Sequence, residues 1–188
     1  MTTIETNIGR LDRILAVQNL QNYQKLRDPL PSQGIVSYFQ KIGLHDDNLQ
    51  KLYLWKDGFD MFLQKGFCDI FYCGCYSSLA AVSKEIEMFQ DSNIWPTGFI
   101  PLLDAHDGRF MLFHNENGPN YGKIYYLDPQ GTEGPEPFYD SILTFIDTQI
   151  ACYENNVYAL DKKTNMLDID LDEFDRIRMM LNPISGRR

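Results

Sequence analysis

The sequence predicts one α+β domain: a central, largely antiparallel, twisted sheet flanked by helices. Three observations point there. Three apolar runs of strand length follow one another between Phe99 and Leu127, each bounded by turn-forming residues. Amphipathic stripes at helical spacing lie on both sides of them in the chain. No linker-like composition interrupts the 188 residues, a length that supports one substantial core. None of the three runs alternates cleanly with polar residues, so both sheet faces are expected to be at least partly covered by helices.

In chain order, Ile8, Leu11, Ile14, Leu15 and Leu20 mark an amphipathic helix from Ile8 to Leu26, ended by Asp28-Pro29-Leu30-Pro31. Residues 1–29 are thus an N-terminal helical segment packed on a domain of residues 30–183, with 184–188 as a tail. Ser32 is placed to cap a short helix with Ile35, Val36, Tyr38, Phe39 and Ile42, stopped at Gly43. Asp46 or Asp47 starts another, carrying Leu49, Leu52, Tyr53 and Trp55 up to Asp57-Gly58. Two short strands are expected at about 59–63 and 69–73. Ser77 or Ser78 caps a helix with Leu79, Val82, Ile86 and Phe89 inward, ending near Asp91, and Trp95-Pro96 leads into the strands.

Asp107-Gly108 joins the first two strands through a tight turn, because both residues tolerate positive φ. After Asp128 the run PQGTEGPEP is a loop, and Phe138–Tyr153 reads as a helix with Ile142, Phe145, Ile146 and Ile150 on one stripe. Val157, Tyr158 and Leu160 suit an edge strand. Asp170 or Asp172 caps a last helix burying Leu171, Phe174, Ile177, Leu181 and Met180, closed by Asn182-Pro183.

The formal charge of −9 argues against nucleic acid, whose phosphates need clustered Lys and Arg. The charge is concentrated. Residues 85–161 hold 13 acids against 2 bases, a balance of −11. This is either a solvated acidic face or a docking surface for a basic partner. Arg10, Asp12 and Arg13 interrupt the apolar core a signal peptide would need, and no apolar run reaches the roughly 18 residues of a membrane span, so a cytoplasmic protein is expected. Cys68, Cys73, Cys75 and Cys152 lack paired metal spacing, and Cys73-Gly74-Cys75 on a strand would turn both thiols to one face of the core.

The order of parts carries a resemblance. A proline-flanked helix precedes LYLWKDGF (Leu52 to Phe59), then YSSLAAVSKEI (Tyr76 to Ile86), WPTGFIPLLDAHDGRFMLFH (Trp95 to His114) and GKIYYLD (Gly122 to Asp128). FYDSILTFI (Phe138 to Ile146) and MLNP (Met180 to Pro183) follow. From about Leu30 to Pro183 this resembles the Smi/Knr family of the SUKH superfamily, with Asp57-Gly58 where Asn-Gly is usual. The resemblance implies an α+β domain with a binding role. Many bacterial members resemble immunity proteins that neutralise polymorphic toxins, and fungal members resemble scaffold-like regulators of cell-wall synthesis. It supplies no catalytic residues and no cofactor.

The expectation is therefore a non-enzymatic immunity protein for a basic, nuclease-like toxin domain. Its partner-binding residues would be Asp104, Asp107, Glu116, Asp128, Glu133 and Glu136, all in or beside predicted loops. The alternative is a small-molecule-binding or metal-dependent hydrolytic enzyme using Asp104, His106, Asp107, His114 and Glu116. Hairpin geometry opposes that, since His106 would sit at a tip and His114 near the far end, about 20 Å away or more. A Cys-His pair of Cys73 or Cys75 with His114 has no supporting spacing. The glycines after the strands lack the fingerprint of a nucleotide loop.

Overall fold

The computed structural model describes residues 3–89, 96–105, 108–131 and 133–185. Among these, the helices are α1 (Ile4–Gln18), α2 (Leu20–Tyr23), α3 (Ser32–Ile42), α4 (Asp47–Trp55), α5 (Leu79–Phe89), α6 (Ile142–Glu154) and α7 (Leu171–Leu181). The strands are β1 (Cys75–Tyr76), β2 (Phe99–Asp104), β3 (Phe110–His114), β4 (Ile124–Leu127), β5 (Glu136–Tyr139), β6 (Tyr158–Leu160) and β7 (Leu167–Ile169). Strands β1 to β5 form one antiparallel sheet in chain order, and β6 pairs with β7 in a separate ribbon. The α+β class and the three adjacent central strands are as the sequence predicts.

Side-chain alternation divides the sheet between two clusters. Met111, Phe113 and Ile124 point into the main core with Leu11, Leu15, Phe145 and Ile146. Phe110, Leu112, Tyr125 and Leu127 point the other way and pack with Phe89 and Phe99. Both faces are therefore apolar and buried. That is why the strands show no polar alternation. Leu11 and Leu15 are fully buried, each contributing roughly 1.5–3 kcal/mol of transfer free energy, and they fasten α1 to the main core beside α6. Asn7 donates to Asp147, and the Arg10 guanidinium forks onto Glu154, so the amino-terminal helix shares the core of the single domain.

Local cap chemistry explains most helix boundaries. Asp46 accepts the Leu49 amide, Asp170 accepts the Glu173 amide, and Ser141 with Thr144 forms a reciprocal capping box. Gly43 ends α3 in the left-handed conformation at φ 70°. Ser32, in contrast, is the first helical residue of α3 and caps nothing; Pro31 takes the cap position.

Several expectations are corrected. The first helix breaks at Asn19, whose non-helical backbone (φ −142°, ψ 44°) separates α1 from α2 and leaves Leu20 exposed. No strand runs through 59–63 or 69–73. Phe59 makes one isolated bridge to Ser77, and Phe71 bridges to Gly74 across a tight turn. Cys73 and Gly74 lie in that turn at φ 67° and 90°, so the two flanking thiols do not share a strand face. Phe138 and Tyr139 belong to β5, because Ser141 caps the helix only after them. In α7, Leu171 and Met180 are exposed, and Phe174 and Ile177 carry the packing. Trp95, Asp91, His106 and Asp107 lie outside the described residues.

Candidate functional site

Strand register decides which acids meet. Cys75 pairs with Asp104, Asp104 with Phe110, Phe110 with Leu127, and Tyr126 with Glu136. The β2–β3 tip, the end of β4 and the start of β5 thus share one end of the sheet. Asp104, Asp128, Glu133 and Glu136 stand there, with neighbouring strands about 4.8 Å apart. Asp128 accepts the Gln130 amide and so shapes its own turn. Glu133 is exposed; Asp104, Asp128 and Glu136 are half-buried.

Glu116 is at the opposite end. It follows β3, whose last residue His114 pairs with Phe99 at the start of β2, and a Cβ placed on Gly98 would come within 2.3 Å of its side chain. Five residues of β2 separate the two ends, about 16 Å. The six acids named from the sequence are therefore not one surface: four gather, Glu116 does not join them, and Asp107 lies outside the described residues.

Beside the acidic end is a cavity of about 340 Å³. Its walls come from the 67–74 loop (Phe67, Tyr72, Cys73), the β2–β3 tip (Ala105, Arg109) and the ribbon (Met166, Ile169). Phe67 and Met166 at its mouth are 59% and 53% exposed, a high cost for large apolar groups. Tyr72 separates this cavity from a second of about 320 Å³ lined by Tyr126, Phe138, Asp175, Arg178 and Met179. Its ring packs against Phe138, at 5.7 Å, and Phe174, at 4.5 Å, which also stack on each other at 6.3 Å, and burial first, then neighbouring groups including Cys73, push its hydroxyl up to about 12. Arg178 lies 4.1 Å from the Phe138 ring and donates to Asp175, which fixes the second wall.

Behind β1 is a buried polar layer that positions this end of the molecule. Asp57 Oδ1 accepts the Leu79 amide at the start of α5, and Arg27 reaches both Asp57, at 3.4 Å, and Asp60, at 2.9 Å. Gly58 sits at φ 72°, and a Cβ there would be 2.5 Å from the Tyr76 carbonyl oxygen. The Asp57-Gly58 pair is thus a structural joint: one residue accepts the first amide of α5, whose cap is Ser78, and the next lets two backbones approach. Burial raises Asp57 against the opposing pull of the Leu79 amide and Arg27. Glu85, only 1% exposed, is pushed up to about 8 by burial and then by Asp104, and its Oε2 has no hydrogen-bond partner among the described residues. Its environment therefore favours the neutral acid at pH 7.

The chemistry proposed for the hydrolytic alternative is spread out. His114 is half-buried at the Glu116 end, 4.9 Å from the Phe99 ring, whereas Asp104 is at the other end. The same separation keeps His114 from Cys75, whose strand partner is Asp104. All four cysteines are buried, with Cys75 raised by burial and then by its contact with Cys68, and Cys152 pushed up to about 12 by burial. Among the described residues no group of three or more His, Cys, Asp or Glu side chains is placed to hold a metal ion, and no helix is long and apolar enough to cross a membrane.

Sequence reasoning missed Phe67, Tyr72, Arg109, Met166 and Ile169 as neighbours. The available signals were a large apolar residue directly after Gly66 and another directly after Asn165, both in turn-rich segments. The chain matches no protein-family model and no curated protein sequence.

Proposed function

We propose that this chain is a non-enzymatic binding protein, an immunity protein that neutralises a basic toxin domain in the cytoplasm by covering its cationic surface. The observation that carries the reading is the collection of Asp104, Asp128, Glu133 and Glu136 at one end of a rigid sheet, next to a concave apolar cavity. Loops on a sheet can vary in sequence without disturbing the core, which suits recognition of diverse partners. Negative field at such a surface accelerates capture of a basic partner and disfavours acidic competitors. The resemblance to the Smi/Knr family supports a binding role as well. The partner in view carries the Lys and Arg groups with which a nuclease holds its substrate, and occupying them blocks the substrate site. Nucleic acid itself is a poor partner for a chain of charge −9.

The test is co-expression with a basic, nuclease-like toxin domain sought in the genomic neighbourhood of this chain, and a neighbourhood that encodes none counts against the reading. A triple variant, Asp128→Asn with Glu133→Lys and Glu136→Lys, keeps the side-chain acceptor of the Asp128 turn while removing the negative field. It should lose protection and retain the wild-type circular dichroism spectrum. Glu116→Lys, at the other end of the sheet, should protect as well as wild type. Full protection by the folded triple variant refutes the reading.

A further inference from the structure

We infer that the cavity between the 67–74 loop, the β2–β3 tip and β7 is the anchor pocket of the interface, and that its occupant is one aromatic side chain carried on a basic segment of the partner. The inference rests on the binding role proposed above and adds the contact that supplies most of the affinity.

Interfaces draw their binding energy from a few large side chains seated in desolvated pockets, whereas charges at the rim mainly set association rate. The acidic end supplies the rim. The cavity of about 340 Å³ supplies the pocket. It lies within the size range of ligand sites, and its lining is chiefly apolar, aromatic and sulphur-bearing. Phe67 and Tyr72 can meet a ring edge to face, and the Met166 thioether offers the sulphur–aromatic contact that suits an aromatic guest. The exposure of Phe67 and Met166 at the mouth leaves apolar area for a guest to cover.

Charge complementarity identifies the segment that bears the ring. Ala105 and Arg109 belong to the β2–β3 tip, so the cavity opens at the same sheet end as Asp104, Asp128, Glu133 and Glu136. Asp69 and Arg109 line the wall with opposite charges, exposed Asp168 lies between Leu167 and Ile169, and the acids at the sheet end leave the rim negative. A ring flanked by Lys or Arg would place its cations toward this field. A ring flanked by acids would meet repulsion. The pocket floor is a tight turn held by buried contacts: Asn19 and Asn22 both donate to the Asp69 carbonyl, and Tyr153 donates to that of Ile70. It is therefore a preformed receptor, which lowers the entropy cost of binding.

The probes are two lysine-rich peptides, one with a central tryptophan and one with alanine in its place, titrated into the full chain and followed by methyl NMR. The tryptophan peptide should bind about tenfold tighter or more, with the Met166 and Ile169 methyl signals moving and that of Met88, outside the cavity, unmoved. The Phe67→Ser/Met166→Ser variant alters two exposed side chains and should fold normally. It should bind both peptides equally, at the alanine peptide's affinity. Equal binding of both peptides to wild type, with salt-sensitive affinity, overturns the anchor pocket and leaves the acidic surface standing. Failure of both peptides to bind overturns the pocket and removes the electrostatic support for the proposed function. If N-acetyl-tryptophanamide alone binds as tightly as the tryptophan peptide, the cavity is a small-molecule site, and concentration-dependent shifts without any probe make it a self-association site; either result overturns the peptide occupant.

Discussion

Replacing Glu85 by Gln should abolish a defined part of the pH dependence of stability. In the unfolded chain this carboxyl titrates at its ordinary value of 4.5, and in the fold at about 8, because it is removed from water and faces Asp104 and Asp60, with a 3.4 Å contact to the Ser77 hydroxyl opposing them. Between those two values the folded state holds a proton that the unfolded state has released. Raising pH through that window therefore favours unfolding, by about 1.4 kcal/mol per pH unit from this group. The stabilisation is complete below 4.5 and is lost as pH climbs toward 8. From pH 5 to pH 7 the loss amounts to roughly 2–3 kcal/mol, a large share of a typical domain's stability. Glutamine has nearly the shape of the neutral acid and releases no proton, so the variant should lack this slope. Asp46, Asp57 and Asp147 are also raised by burial and act in the same sense. They remain in the variant and cancel in the difference. Urea unfolding of both proteins at several pH values from 5 to 7.5, followed by far-ultraviolet circular dichroism, gives that difference. A stability gap that does not change with pH refutes the buried neutral acid.

Gly58→Ala should destabilise by about 3 kcal/mol or more, since the new Cβ meets the Tyr76 and Ser77 backbone and φ 72° disfavours any L side chain; a denaturation midpoint within error of wild type would contradict the joint at Asp57-Gly58. Asp57→Ala should cost about 2–4 kcal/mol, because it leaves the buried Leu79 amide without its acceptor, with Ser78 still capping α5 through the Ala81 amide, and leaves Arg27 with one carboxylate partner, and the same unfolding assay measures it. The Cys75 and Cys152 thiols should resist iodoacetamide in the folded protein at pH 8 and react on unfolding, as burial raises both and leaves little thiolate; stoichiometric labelling of either in the native chain would contradict the burial.

Features set by a few neighbouring residues were legible in the sequence. Asp46, Asp170 and Gly43 bound helices through chemistry contained in one turn, and the runs at Phe99, Phe110 and Ile124 could only be strands of that length. The segment 59–73 was not legible, because its backbone is satisfied from far away. Asn19 and Asn22 serve Asp69, Tyr153 serves Ile70, and the Tyr72 amide donates to the Tyr158 hydroxyl. Such side-chain partners replace a strand ladder without leaving a periodic trace. The acidic end was half legible: composition located the charge, but only register separates Glu116 from Glu136. Phe67 and Met166 lie nearly a hundred residues apart, so no local pattern could have paired them across a cavity.

If the acidic sheet end captures a basic protein as proposed, charge should govern their encounter. Stopped-flow association of the purified chain with a basic, nuclease-like toxin domain, across a series of salt concentrations, measures that dependence. The association rate should fall steeply as salt rises while dissociation changes little, and the triple variant at Asp128, Glu133 and Glu136 should associate slowly at every salt concentration. An association rate indifferent to salt, or a toxin domain of acidic charge that binds equally well, would contradict electrostatic capture.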